Sequence, residues 1–109
     1  MNDKMGDDQR LLHIEEAIAE IESYTKGIDI LEFKSNSMIR FASIKQMEII
    51  GEAARYVTEE TRNKYPEIEW KEITGLRNIL VHEYFGIDSN LIWQIIETDI
   101  PDLKKKLRK

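Results

Sequence analysis

Residues 38–57 read MIRFASIKQMEIIGEAARYV, and this stretch decides the fold that the sequence predicts. At about 100° per residue, its apolar side chains cover roughly half of a helix surface. Phe41 and Ile44 extend that surface into the narrower polar band, and Gly51 indicates a close approach between helices. A helix that is apolar on so many sides lies at the centre of a bundle, or faces both a core and a partner.

The residues before this helix predict one long amphipathic helix and a short connection. Asp7 and Asp8 are expected to cap the first helix, which runs to about Tyr24. Gly27 can end it in a left-handed conformation. Residues 28–33 are expected to form a helical turn or loop that packs three apolar side chains, Ile30, Leu31 and Phe33.

The residues after the central helix predict further helices and no strand. Thr58 is expected to cap a short helix, and a longer helix is expected over about Trp70 to Glu83. Asp88 or Ser89 is expected to cap a helix through residue 98, and Pro101 suits the first turn of a last helix. Because no segment alternates like a strand, the sequence predicts an all-α bundle of about five to six helices, folded as one domain over residues 1–109.

Composition excludes several classes of protein. The 109 residues include no cysteine, so a disulfide framework and a thiolate metal site are excluded, and we expect no metal and no other cofactor. No apolar run approaches the roughly 20 residues of a membrane span, and the polar start is unlike a signal peptide, so we expect a cytoplasmic protein with no membrane partner.

The charge distribution is strongly asymmetric. Five of the 16 basic residues lie within residues 104–109, which leaves 11 basic residues against 21 acidic residues in the rest of the chain. A body so acidic does not bind nucleic acid through its bulk charge, so any such binding has to use a local basic surface. For the basic end itself, a solvated helix terminus favoured by the helix dipole is the simpler interpretation.

Reactive side chains gather in the sequence GLRNILVHEYFG at residues 75–86. On a helical wheel, Asn78 and His82 lie nearly opposite the apolar arc of this helix, and Val81 lies beside them. Arg77 and His82 are five residues apart, which is about 140° around an ideal helix. Two arrangements would bring them together: the helix unwinds near His82, or two copies of the helix meet and line one cleft.

The second arrangement requires a homodimer, which the apolar Val81, Phe41 and Ile44 favour. Histidine is the usual general acid or base near neutral pH, and arginine stabilises a crowded phosphate through paired hydrogen bonds. These side chains suit cleavage of RNA without a metal, with Asn78 orienting the histidine or holding a phosphate oxygen. The simpler alternative is a polar helix flank within a dimer interface.

The motif Arg77-Asn78-x3-His82-x-Tyr84 resembles the Arg-x4-His-x-Tyr signature of HepT-like toxins, which belong to the HEPN superfamily. The surrounding sequence is similar to that family as well, and the resemblance covers nearly the whole chain. The similar segments are EIIGEAA at 48–54, YPEIEW at 65–70, residues 75–88, and Trp93 followed by DIPDL at 99–103.

The resemblance implies a HEPN-type helical bundle that forms a homodimer with a composite cleft. It implies the toxin component of a type VII HepT/MntA-like toxin–antitoxin system, acting as a metal-independent endoribonuclease. Arg77 and His82 would be catalytic and Asn78 supporting. The partner implied is an MntA-like nucleotidyltransferase antitoxin, which adenylylates the motif tyrosine, here Tyr84, and so blocks the RNA substrate.

Two other functions stay open at the level of sequence. One is a non-catalytic HEPN dimerisation or binding module for a nucleotidyltransferase or a nucleotide, which the acidic body mildly favours. The other is a helical dimerisation protein without chemistry.

Overall fold

The computed structural model describes residues 3–82 and 88–108, and these residues form seven α-helices. Their bounds are α1 Asp3–Thr25, α2 Ile30–Ser35, α3 Ser37–Arg55, α4 Glu59–Lys64, α5 Trp70–His82, α6 Ser89–Gln94 and α7 Ile100–Leu107. No strand occurs in this described part, so the predicted all-α bundle is confirmed.

The helix α3 lies at the centre of the bundle, with α1 and α5 both packed along it. Met47, Ile50 and Ala54 on α3 are completely buried. Ile14, Ile18 and Ile21 of α1 belong to the same core. Gly51 is also buried, as expected for a position of close helix approach.

The apolar surface of α3 divides between core and solvent. Ile44 is only 6% exposed and packs in the chain's own core. The expectation that its side chain is available to a partner is therefore wrong. Phe41 and Met38 are 55% and 79% exposed. The apolar residues of α3 that remain outside the core therefore concentrate in its first two turns.

The expected start of the first helix is wrong. Helix α1 begins at Asp3, so Asp7 lies inside the helix and not at its cap. Its side chain is buried and accepts hydrogen bonds from the hydroxyl of Thr58, from the Thr58 backbone N–H at 3.1 Å, and from the hydroxyl of Thr61 at 2.6 Å. The Asp7 carboxylate thus accepts hydrogen bonds at the start of α4 and does not cap its own helix, which begins four residues earlier.

The caps of the shorter helices follow the sequence. Gly27 has the positive φ of 76° that ends α1. The Thr58 side chain accepts from the backbone N–H of Thr61 at the start of α4, and Asp88 accepts from the N–H of Asn90 at the start of α6. These predictions are confirmed.

Helix α2 buries fewer residues than expected. Phe33 is completely buried, with its ring centroid 5.1 Å from that of Trp93. Leu31, which was expected to pack, is 71% exposed. Residues two apart point to different sides of a helix, so a helix of six residues that buries Phe33 turns Leu31 to solvent.

The predicted last helix is present as α7, and it continues from α6 without a break. A π-helical turn at Ile95–Asp99 joins α6 to α7, and the N–H of Ile100 bonds the carbonyl of Ile95. Pro101 lies in the first turn of α7 as expected. Because proline has no N–H and its ring crowds the carbonyl four residues before it, the wider turn accommodates it without a break.

The buried carboxylate of Asp7 generates a test of the fold. We expect Asp7→Asn to lower the free energy of unfolding by about 1–3 kcal/mol, because one acceptor oxygen becomes a donor that faces other donors. Asp8→Asn is the matched control, since Asp8 is exposed and its replacement should change stability by less than about 0.5 kcal/mol. Urea unfolding at pH 7 measures both, and equal stability of the two variants would contradict the assignment.

The same carboxylate predicts a pH dependence. Burial alone would raise the pKa of Asp7, but hydrogen bonds from Thr58 and Thr61 and the charge of Arg10 hold that pKa below its usual value. The ionised form therefore stabilises the fold above about pH 4, and this contribution disappears as the pH falls through the lowered pKa. The stability difference between wild type and Asp7→Asn should shrink over that acid range.

Candidate functional site

The start of α5 is fixed to the end of α3 by an aromatic anchor. Trp70 is 8% exposed, and its indole N–H donates to the carbonyl of Tyr65 at 3.2 Å. The guanidinium of Arg62 lies 5.6 Å from the Trp70 ring centroid and donates to the carbonyl of Ala54 at 3.0 Å. These contacts bring the first residue of α5 next to the last turn of α3.

Because α5 starts at the end of α3 and packs along it, it runs back toward the beginning of α3. Its 13 residues span about 18 Å. The last turns of α5 therefore lie beside the first half of α3, which is 19 residues long, and not at its very start.

Three of the four predicted site residues lie in those last turns. Arg77, Asn78 and His82 belong to α5, and the backbone is helical from Arg77 to His82. The angular separation of about 140° for an ideal helix thus applies to the backbone positions of Arg77 and His82. The side chains of residues 77–82 and the whole of Tyr84 lie outside the described residues, so the predicted roles of these four residues stay predictions.

Two basic residues outside the motif meet where α2 is followed by α3. Lys34 lies in the last turn of α2, and Arg40 lies in the first turn of α3. Arg40 donates to the carbonyl of Lys34, and its guanidinium lies 6.0 Å from the ring centroid of the exposed Phe41. Lys34, Arg40 and Phe41 form a local basic and aromatic surface on an otherwise acidic body; the contact between Arg40 and Lys34 joins two helices, which periodicity along one helix does not reveal.

The second histidine lies on a different surface. His13 is exposed on α1, and its imidazole Nε2 lies 3.4 Å from the side-chain amide nitrogen of Gln9. Among residues 6–76 and 88–108, whose side chains the structure describes, no group of three or more histidine, aspartate or glutamate side chains is arranged to hold a metal ion.

None of the helices in the described part combines the length and apolar character needed to cross a membrane. The candidate site comprises the last turns of α5 and the surface formed by α2 and the start of α3.

Comparison with known proteins identifies the family of the chain. The family model described as "Ribonuclease HepT-like" matches residues 14–109, which includes all of α2 to α7 and the entire motif. No solved structure matches the chain at a significant level.

Two of the relatives match along most of their length. A protein named "Putative RNase" from Methanocaldococcus jannaschii is 50% identical over 97 residues, covering 89% of each chain. A "Probable ribonuclease HepT" from Thermococcus cleftensis is 40% identical over 96 residues, covering 88% of this chain and 87% of its own. Another Methanocaldococcus jannaschii relative, named "Gamma-glutamylcyclotransferase and putative RNase", is 42% identical over 99 residues but is matched over only 45% of its length.

Proposed function

Because the chain belongs to the HepT-like ribonuclease family, we propose that it is a metal-independent endoribonuclease and the toxin of a type VII toxin–antitoxin pair. One observation supports this most strongly: Arg77, Asn78 and His82 stand at the family's signature spacing in the last turns of a single helix. Arg77 and His82 are the catalytic residues, and Asn78 supports them.

The reaction is a transesterification within the RNA. The ribose 2′-oxygen bonds the adjacent phosphorus, and the bond from phosphorus to the 5′-oxygen breaks. His82 moves a proton, either from the attacking hydroxyl or to the leaving oxygen, and Arg77 stabilises the charge on the phosphate oxygens. The products have 2′,3′-cyclic phosphate and 5′-hydroxyl ends, and no step requires a metal.

The active cleft lies between two copies of the chain. The backbone positions of Arg77 and His82 are about 140° apart around an ideal helix, so an arginine from one copy is combined with a histidine from the other. The exposed Met38 and Phe41, in the first two turns of α3, supply apolar surface for the contact.

RNA approaches this cleft over the basic surface of Lys34 and Arg40. These cations are few, and Glu32 and Glu48 lie in the same helices. Binding of RNA should accordingly be weak and, because few phosphate charges are neutralised, only modestly dependent on salt.

A second candidate function is a non-catalytic HEPN module that binds a nucleotidyltransferase or a nucleotide. The acidic surface of the chain favours it, since a nuclease benefits from a basic surface around its substrate. The two functions differ in whether RNA is cut, which a direct assay decides.

His82→Ala tests the nuclease. With purified protein and RNA in the presence of a chelator, we expect cleavage by wild type and a loss of about 10²–10⁴-fold in His82→Ala, the range for removing a general acid or base. His13→Ala is the matched control, because it removes the other, exposed histidine, and it should cut within about twofold of wild type.

Three results would contradict the proposal. Wild-type protein that leaves RNA intact favours the binding module. Cleavage that stops on addition of the chelator removes the metal-independent mechanism. Equal loss of activity in His13→Ala and His82→Ala removes the specific role of His82.

The antitoxin acts on Tyr84. We propose that a nucleotidyltransferase of the MntA-like class joins the Tyr84 oxygen to the α-phosphorus of ATP, with release of pyrophosphate and the phenolic proton. The attached AMP adds bulk and negative charge beside the cleft, which repels RNA.

Tyr84→Phe tests this modification. After incubation with the nucleotidyltransferase and ATP, the intact mass of wild type should rise by one or more AMP units, while Tyr84→Phe stays unmodified. Tyr56→Phe is the matched control, because Tyr56 is 52% exposed and lies outside the motif. If Tyr84→Phe is still modified, or Tyr56→Phe is not, the assignment of Tyr84 is wrong.

A further inference from the structure

We propose that the groove between α5 and the segment from α6 to α7 binds an amphipathic segment of a partner protein that has apolar residues on one face and lysine or arginine beside them. The groove encloses about 370 Å³. It lies against the first half of α5, whose residues precede the motif in the sequence. A partner could bind there whether or not the chain cleaves RNA.

The floor of the groove is apolar. Its buried part is formed by Ile68, Ile95 and Leu103, and its half-buried part by Ile73 and Leu76. Leu91 stands at the edge and is 39% exposed. A partner that places apolar side chains here removes this surface from water, which favours association.

The rim of the groove is acidic. The carboxylates of Glu69, Glu72, Asp99 and Asp102 surround the floor and are exposed, and Lys106 is the one cation among the described residues that line the groove. The Lys106 ammonium lies 2.8 Å from a carboxylate oxygen of Asp102. The rim therefore repels RNA and anionic membranes and complements a partner with several positive charges.

The π-helical turn shapes one wall. Leu91, Ile95, Asp99 and Leu103 follow one another at four-residue steps. In an ideal α-helix each such step would rotate by about 40° and carry the row away from the groove. The π turn takes more residues per turn and so keeps the row facing α5, and such turns frequently occur at functional sites.

A second copy of the chain does not supply this partner segment. The basic stretch of the chain is the last turn of α7, but the apolar residues beside it, Leu103 and Leu107, are 5% and 6% exposed in the chain's own core. The stretch thus presents charge without an apolar face. The complementary segment has to come from a different protein.

The probe is a fluorescein-labelled helical peptide of leucine and lysine, with leucines on one face. We expect fluorescence anisotropy to detect binding, and a peptide of the same composition in scrambled order to bind about tenfold more weakly, because it lacks the apolar face. Glu72→Lys/Asp99→Lys should weaken binding of the ordered peptide about tenfold or more.

Glu15→Lys/Glu16→Lys is the matched control. Both residues are exposed on α1, so the variant changes the net charge of the chain equally while leaving the groove intact, and its affinity should stay within about threefold of wild type. Leu91→Ser is a second test of the groove that does not depend on charge. It should also weaken binding, and because Leu91 is 39% exposed we expect its replacement to leave the fold intact.

Three results would overturn the proposal. Equal weakening in the groove variant and in the α1 control means that only bulk charge attracts the peptide. Equal affinity for the ordered and scrambled peptides means that the apolar floor is not used. A change in solution mass caused by Glu72→Lys/Asp99→Lys, measured by sedimentation equilibrium, means that the groove is a contact between copies of the chain.

Discussion

The buried face of α3 has to pack against two helices at once, and the rest of the structure depends on this constraint. Met47, Ile50 and Ala54 have no exposed surface, so no side of this stripe is available to solvent. Burying one large apolar side chain stabilises the fold by about 1.5–3 kcal/mol, and α1 and α5 divide that gain between them. The position of α5, and with it the motif, follows from its fit to α3.

Two contacts at the end of α3 determine how the chain returns along it. Asp7 of α1 bonds Thr58 and Thr61, which fixes the start of α4. Arg62 then links the last turn of α3 to Trp70 at the start of α5. With its start held in this way, α5 carries the backbone of Arg77 and His82 back along α3 toward the first half of that helix. The acidic groove stays near the anchored end, so the proposed partner site and the proposed RNA site occupy different parts of one helix.

The sequence predicts what depends on neighbours along the chain. The caps at Thr58 and Asp88 and the left-handed Gly27 involve residues within a few positions, and each was predicted correctly. Contacts between distant segments were not predicted. The sequence around Asp7 is typical of a helix cap, but in the structure its carboxylate accepts hydrogen bonds from Thr58, which is 51 residues away. On a helical wheel Ile44 and Phe41 occupy equivalent positions within the polar band. The packing of neighbouring helices buries Ile44 and leaves Phe41 exposed. The π turn was not predicted, because the apolar pattern before Pro101 is compatible both with a helix that ends there and with a helix that continues through a wider turn.

For the candidate site, the sequence supplies the residue types, their spacing and the family. Periodicity within one chain cannot supply the second copy, because the geometry of a composite cleft depends on how two molecules meet. The central claim is therefore that Arg77 of one copy acts with His82 of the other. Mixing Arg77→Ala and His82→Ala proteins under conditions of subunit exchange, and measuring RNA cleavage in the presence of a chelator, tests it directly. Each variant alone should be inactive, and the mixed dimer should regain activity because it contains one cleft with both residues intact. A mixture that exchanges subunits and remains inactive would contradict the account.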